Sequence, residues 1–401
     1  MDIEKMTEEQ LVAQCVEWRR WFHAHPEAST KEVHTSEKIF GILQDLGLNP
    51  VRGNGHYGVA ATITGGKPGP MIALRADIDA LSVKEETGLP YASENPGFMH
   101  ACGHDIHITT LLETILRLLK RKDEIQGKVR VLFQPSEELS PKGGANYMMK
   151  DGFLDDVKGV FGLHVWPPYE CGTIGIKVGA MMAGSDRIKV VIKGRSSHAG
   201  HPNEGVDAIM AAADFLQQLN KIVSRRISPL ATATINIGTI QGGSRYNVVP
   251  GEVTMEGTIR TLDEETRSRI PEFIKGILEG LKVSTGIEYD FQYFYGYPVV
   301  MNWDEPEKLV EATIKDVLGP DALASHVTPD LTAEDFGFYL QKMPGAFLWL
   351  GCGIKGQPVH GLHTSKMCPD ENALVVGSKV MSQVAINALK ALNAGVDFSK
   401  K

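Results

Sequence analysis

A handful of residues along this chain have the types and spacing needed to bind and activate a divalent cation. Cys102 and His104 stand two apart in Gly97-Phe-Met-His-Ala-Cys-Gly-His-Asp105, a glycine-punctuated stretch that runs into the amphipathic segment 106–120. A thiolate and a neutral imidazole are the ligands that a borderline-soft ion such as zinc takes. Alone, the pair reads equally well as a buried cysteine beside a helix-capping residue. Other donors lie farther on: Glu137 and Glu138 after Pro135, His164 ahead of Pro167-Pro168, and His363 in a late loop. Cys102, His104, Glu138, His164 and His363 make five donors, more than one tetrahedral ion with an open position requires, so two ions are the natural count. A thiolate carries enough charge to bridge two cations, and ions about 3.5–4 Å apart can clamp both the attacking and the developing oxygen of a hydrolysis. Glu137, next to a ligand, is left to take a proton from the attacking water and pass it to the leaving amine. Zinc suits the thiolate best, while the mixed nitrogen and oxygen ligands leave manganese or cobalt open.

These donors need elements that deliver them to one place. The runs 58–64, 71–75, 128–133, 159–165 and 346–351 are β-branched and apolar, and several stop at proline or at acids, as in Ala76-Asp77-Ile-Asp79 and Gln134-Pro-Ser-Glu137-Glu138. Helically periodic segments near 7–24, 30–46, 106–120, 304–319, 332–343 and 371–393 separate or follow them. Thr7 with Gln10 and Ser29 with Glu32 have the capping-box spacing, and Gly47 suits a helix end. The pattern predicts an α/β fold, a mostly parallel sheet covered by helices on both faces, with ligands gathered beyond the strands' carboxyl ends. Between residues 185 and 298 the order changes to β-α-β-β-α-β, the arrangement of a ferredoxin-like α+β domain. The expected organisation is a metal-binding catalytic domain of residues 1–184 and 299–401 carrying 185–298 as an insertion. The pairs Gly65-Gly66 and Gly242-Gly243 lack the spacing of a phosphate or dinucleotide loop and read as turns.

A chain of 401 residues exceeds the usual size of a single core, which fits two domains. Its net charge of −8 argues against nucleic acid or an anionic membrane as partner and in favour of a small-molecule ligand. The start, Met1-Asp-Ile-Glu-Lys-Met, carries no basic and apolar leader, and no apolar run approaches the roughly 18 residues of a membrane span. Five cysteines are an odd, sparse set that fits reduced thiols, and a cytoplasmic location is expected.

Taken together, Phe22-His-Ala-His-Pro-Glu27, Leu74-Arg-Ala-Asp-Ile-Asp-Ala-Leu81, Met99-His-Ala-Cys-Gly-His-Asp105, Gln134-Pro-Ser-Glu-Glu138, Gly162-Leu-His164 and His360-Gly-Leu-His363 give the chain its resemblance. Over essentially its whole length it resembles the dinuclear metallohydrolases that include aminoacylases, hippurate hydrolases and indole-acetyl-amino-acid hydrolases, relatives of metallocarboxypeptidases. The resemblance implies that Cys102 bridges two ions, that His104, Glu138, His164 and His363 complete their shells, and that Glu137 is the general base. It implies a homodimer through the inserted domain, with His198 in Ser196-Ser-His-Ala-Gly-His-Pro202 donating to the oxyanion and with Asn247 and Arg260 holding substrate. Arg260 would grip a free carboxylate in the forked geometry of guanidinium. Here Ser196-Ser197 stand where paired glycines are common, and His201 comes before Pro202 instead of after it, which touches substrate identity. The expected reaction is hydrolysis of an N-acyl-L-amino acid. The alternatives are dipeptide or carboxypeptidase-type cleavage, a thiol hydrolase using Cys102 and His104, and a metal-stabilised binding protein without turnover. Asp77 and Asp105 are expected to orient ligand histidines.

Overall fold

A computed structural model describes residues 3–399; Met1, Asp2, Lys400 and Lys401, the outermost residues of the expected catalytic segments, lie outside the described residues. The chain divides into two compact units, one of residues up to Met181, Val300–Thr328 and from Asp335 onward, the other of Met182–Val299 and Pro329–Glu334.

The first unit opens with helices α1 (Glu8–Ala24) and α2 (Val33–Asp45), followed by strands β1 (Val51–Arg52), β2 (Val59–Thr64) and β3 (Lys67–Asp77). Helix α3 (His104–Lys120), β4 (Gln126–Gln134), α4 (Ala145–Lys150), β5 (Val157–Glu170) and β6 (Ile174–Gly175) complete its first part. In the second unit come β7 (Gly184–Lys193), α5 (Ala208–Arg225), β8 (Ala233–Gly242), β9 (Glu252–Thr261), α6 (Glu264–Thr285) and β10 (Glu288–Phe294). The chain then adds α7 (Asp304–Leu318), α8 (Gly337–Lys342), β11 (Gly345–Gly353) and α9 (Ala373–Asn393) to the first unit.

The first unit's sheet has the order β1-β2-β4-β3-β5-β11-β6. Its four central strands β4, β3, β5 and β11 run parallel, with antiparallel strands at both edges. In β3, Ile72, Ala73 and Leu74 are successive and all inaccessible to solvent. Successive residues point to opposite faces, so both faces are covered, as a parallel sheet between helices requires. Helices α3 and α9 pack on β3, and apolar residues of α1, α2, α3, α7 and α9 join one core with the strands. Among the described residues no helix is long and apolar enough to cross a membrane.

The second unit has an antiparallel sheet of order β8-β9-β7-β10, the ferredoxin-like arrangement. Ile188, Val190 and Ile192 alternate inward against Phe215, Leu219, Ile270 and Ile274 of the two helices. Strand β8 is an edge, largely exposed along its length.

Local signals behaved unequally. Thr7 and Gln10 form the expected reciprocal cap, with Thr7 N–H donating to Gln10 Oε1 at 3.0 Å and Gln10 N–H to Thr7 Oγ1 at 3.3 Å. Ser29 and Glu32 do not: α2 begins at Val33, and Glu27 takes the cap, accepting from the N–H groups of His34 and Thr35. The helix expected over 332–343 is confined to Gly337–Lys342. Before it, the buried Asp335 carboxylate accepts from Arg75, Gln134 and the N–H of Ala145, and these bonds hold the segment out of a helix.

Candidate metal centre

Asp77, the last residue of β3, lies opposite Gln134, the last of β4, so the segments that follow both strands leave the sheet at the same level. Cys102 sits in the loop ahead of α3. Gly103 follows at φ +84, and a Cβ there would stand 2.5 Å from Val165 Cγ2, so both conformation and space demand glycine. His104 is the first residue of α3; its Nδ1–H donates to the carbonyl of Asp79 at 2.8 Å, which aims Nε2 away from the backbone. His164 is held likewise, donating from Nδ1 to the Val165 carbonyl at 2.7 Å, and its Nε2 comes to 3.3 Å from Cys102 Sγ. The strand continues past it through Pro167-Pro168 to Glu170, beyond the stop that the sequence suggests. His363 is brought in from a distant loop by one backbone bond, its N–H donating to the Ala101 carbonyl at 2.8 Å. Its Nε2 lies 3.3 Å from Cys102 Sγ and 3.1 Å from Glu138 Oε1.

Two groups of donors therefore share one sulfur. Cys102, His104 and His164 have ligand atoms within 4.8 Å of one another, and so do Cys102, Glu138 and His363. Glu137 joins His104 and Glu138 in a third such group. Glu137 is 5% exposed, and its Oε1 accepts from the N–H of Asp335 at 3.4 Å.

The surrounding charges are mostly negative. Burial, then Glu138, Glu137 and Asp77, push the Cys102 thiol well above its ordinary value. Burial would lower His104, but Asp77 and Asp79 outweigh it and raise it to about 10. His164 is held well below its ordinary value by burial and by His107, so it stays neutral. Asp77 accepts from His107 Nδ1 at 2.5 Å and from Arg75 at 2.7 Å, and its Oδ2 is 3.7 Å from His104 Nε2. His107 Nε2 in turn accepts from the Val165 N–H at 2.8 Å, which ties α3 and β3 to the strand carrying His164.

Asp105 does not orient a ligand histidine. Its carboxylate faces away, accepting from His23 at 2.8 Å and pairing with the buried Arg19 at 3.0 Å, while the Asp79 carbonyl orients His104. His23 thus lies in a structural network with Asp105 and Glu85, and His25 stacks on Trp21. Asp335, close to Glu137, was missed; the only hint is the acidic pair Glu334-Asp335 set before the apolar Phe336-Gly-Phe.

His198, Asn247 and Arg260 belong to the second unit. Ser197–His198 pairs with Val248–Val249, and the Ala199 N–H donates to the Asn247 carbonyl at 3.2 Å, so His198 and Asn247 share one short ladder. His198 is exposed, and its Nδ1 accepts from the Gly200 N–H at 3.0 Å. Asn247 Oδ1 is buried with no hydrogen-bond partner. Arg260 stands in β9 opposite Thr234 and Ser185 and forms no side-chain hydrogen bond or ion pair among the described residues.

Comparison with known proteins places this arrangement. The sequence profile of peptidase family M20/M25/M40 matches residues 73–387. The chain belongs to that family. N-acetylcysteine deacetylase of Bacillus subtilis is 37% identical to this M20/M25/M40 chain over 392 residues, 96% of this chain and all of the relative. N-acyl-L-amino acid amidohydrolase of Geobacillus stearothermophilus is 40% identical over 304 residues, 76% of this chain and 82% of that one. The crystal structure of the Bacillus subtilis YXEP protein, described as a dinuclear metal binding peptidase of the M20 family, superposes with a TM-score of 0.85 at 34% identity. It covers 96% of this chain and 99% of the YXEP chain. Membership makes this M20/M25/M40 chain a hydrolase.

The donor set fits a pair of cations on a structural test. His104 Nε2 and Glu138 Oε1 are buried without a hydrogen bond, although His363 stands 3.1 Å from the latter. A buried polar atom left unmatched costs about 1–3 kcal/mol. On His104, a proton on Nε2 would lack an acceptor and a lone pair would lack a donor; a cation satisfies that atom, the carboxylate and the thiolate together. Without a cation, burial and then the neighbouring acids push the Cys102 thiol well above its ordinary value, which disfavours a free thiol nucleophile.

Proposed function

We propose that this M20/M25/M40 hydrolase cleaves the amide bond of N-acyl-L-amino acids, with two divalent cations, zinc foremost, held by Cys102, His104, Glu138, His164 and His363. The observation that carries the reading is the single sulfur shared by two three-donor groups, with the nearly buried Glu137 carboxylate alongside. The names of the deacetylase and amidohydrolase relatives support the acyl-amino-acid class. When bound, the cations supply Lewis-acid polarisation of the scissile carbonyl and lower the pKa of the attacking water.

Glu137 takes a proton as water adds to the carbonyl carbon, and returns it to the nitrogen as the C–N bond breaks, leaving a carboxylic acid and a free amino acid. The Glu137 side chain is largely covered from bulk water, and the Asp335 N–H donates to one of its carboxylate oxygens. In neutral His198 the Gly200 N–H occupies Nδ1, which puts the ring proton on Nε2, ready to donate to a developing oxyanion. Arg260, which forms no side-chain ion pair among the described residues, suits a substrate carboxylate, and the unpartnered Asn247 Oδ1 suits a substrate donor. We further assign the protein to the cytoplasm, in keeping with five free cysteines, and to a homodimer through residues 185–298, in keeping with the exposed edge strand β8.

The test is a panel of N-acetyl, N-benzoyl and arylacetyl amino acids alongside dipeptides, assayed after chelation and after restoring zinc, manganese or cobalt. The proposal expects turnover of acylated amino acids that is lost on chelation and regained with metal. Activity that survives complete chelation would refute it, and exclusive cleavage of dipeptides would replace the substrate class.

A further inference from the structure

The mechanism above uses the Glu137 side chain but leaves open what holds its backbone. After Pro135 breaks β4, the chain turns through Ser136 at φ +57, a left-handed conformation for a residue that has a Cβ. Three successive N–H groups, those of Ser136, Glu137 and Glu138, then have no strand partner in a region closed to water. Buried backbone donors of this kind must be matched.

Two buried carboxylates match all three. Glu32 Oε1 accepts from the Ser136 N–H at 2.7 Å and from the Ser136 hydroxyl at 3.0 Å. Asp79 accepts from the Glu137 N–H at 3.1 Å through Oδ1 and from the Glu138 N–H at 3.0 Å through Oδ2. Both acids are inaccessible to solvent. The α1–α2 connection is drawn into the same arrangement: the Thr30 N–H donates to Ser136 Oγ at 3.0 Å, and Ser29 Oγ donates to Asp79 Oδ2 at 2.6 Å. Thr30 is itself left-handed at φ +65, and the Ala80 N–H donates to the Glu27 carbonyl at 2.8 Å, so residues 27–30 run beside the segment after β3.

Glu32 has no reason to be here on packing grounds. A carboxylate at zero exposure loses its hydration, and its second oxygen, Oε2, finds no hydrogen-bond partner. What it gains is control of one turn. We infer that Glu32 is a positioning residue for the hydrolytic reaction: by pinning Ser136 it fixes where the neighbouring Glu137 carboxylate points, with Asp79 holding the other end of the turn. This rests on the hydrolase reading of Glu137 given above.

The test compares Glu32→Ala and Glu32→Gln with the wild type in the metal-reconstituted full chain. A displacement of about 1 Å in a catalytic group can cost about a hundredfold in rate. Glu32→Ala therefore lowers kcat by about that factor, with KM within about threefold and the cation content per chain unchanged. Glu32→Gln keeps an oxygen for Ser136 and recovers most of the rate. Hydrogen exchange supplies a readout independent of turnover: the peptide spanning Gln134–Leu139 exchanges faster in Glu32→Ala than in wild type and stays protected in Glu32→Gln. Equal kcat in wild type and Glu32→Ala, or an alanine variant whose loss appears only in KM or cation content, overturns the inference while leaving the hydrolase reading intact. Unchanged protection in Glu32→Ala overturns it as well. A wild-type chain with no turnover on any acylated amino acid overturns the hydrolase reading, and this inference with it.

Discussion

The charge on Glu32 should be visible as a pH-dependent stability. Burial first, and then the nearby Asp79 carboxylate, raise its carboxyl from an ordinary 4.5 to about 7. A raised folded-state value means that the folded chain holds the proton more tightly than the unfolded chain. The stabilisation is therefore complete below about pH 4.5 and is lost as pH rises through about 7. A shift of some 2.5 pH units corresponds to about 3 kcal/mol. Glu32→Gln carries an amide that does not titrate and keeps one oxygen for Ser136, so its offset from wild type comes only from fixed packing and hydrogen bonding. The difference between the two proteins, measured in chelator so that bound cations do not compete for the acid, isolates Glu32 from every other titrating group. Relative to wild type, the glutamine variant should gain about 3 kcal/mol between pH 4.5 and pH 8. Unfolding midpoints move by about 2–4 °C per kcal/mol for domains of 150–250 residues and by less for larger ones, so the relative gain in Tm should be about 5 °C. Differential scanning fluorimetry at half-unit pH steps reads this directly. A gap independent of pH, or one that moves in favour of wild type as pH rises, would refute the assignment of a proton to Glu32.

Three further outcomes follow from particular contacts. Asp105→Ala removes the 3.0 Å partner of the fully buried Arg19 and the 2.8 Å partner of His23, and should cost about 3–5 kcal/mol in urea unfolding; a loss under about 1 kcal/mol contradicts the network. Glu137→Gln should retain both cations by elemental analysis while losing about 10²–10⁴ in kcat, and a variant that turns over normally removes Glu137 from the reaction. His198→Ala should lose about 10²–10³ in kcat with cation content unchanged, and an unaffected kcat would leave oxyanion stabilisation to other groups.

Much of the first unit was legible because its strands announce their ends. Asp77 and Gln134 close apolar runs, and in a parallel sheet those ends meet at one level, so the donors after them converge. Cys102 and His104 were legible for a local reason, since Gly103 can adopt φ +84 and turn directly into α3. His363 was named by its residue type and by the resemblance, not by a local signal: it enters through a backbone bond to Ala101, and no period or turn signal encodes a contact across that span. Ser29 and Glu32 show why local rules fail where they do. Their spacing is that of a helix cap, yet both side chains are claimed elsewhere: the Ser29 hydroxyl donates to the buried Asp79 carboxylate, and Glu32 accepts from the buried Ser136 N–H, which left unmatched would cost more than an uncapped helix end. Asp105 went astray in the same way, because its adjacency to His104 in sequence says nothing of Arg19 and His23, which take its carboxylate into a buried network. In the second unit, the alternation of Ile188, Val190 and Ile192 sufficed for the sheet, whereas the excursion of residues 329–334 into that unit has no periodic signature.

The central claim is that one sulfur serves two ions. The most direct measurement is anomalous diffraction at the zinc absorption edge from crystals of the zinc-loaded protein. The account predicts two peaks, one among Cys102, His104 and His164 and the other among Cys102, Glu138 and His363, both within bonding distance of the Cys102 sulfur. A single peak, or peaks that leave Cys102 outside the coordination of either ion, would contradict it.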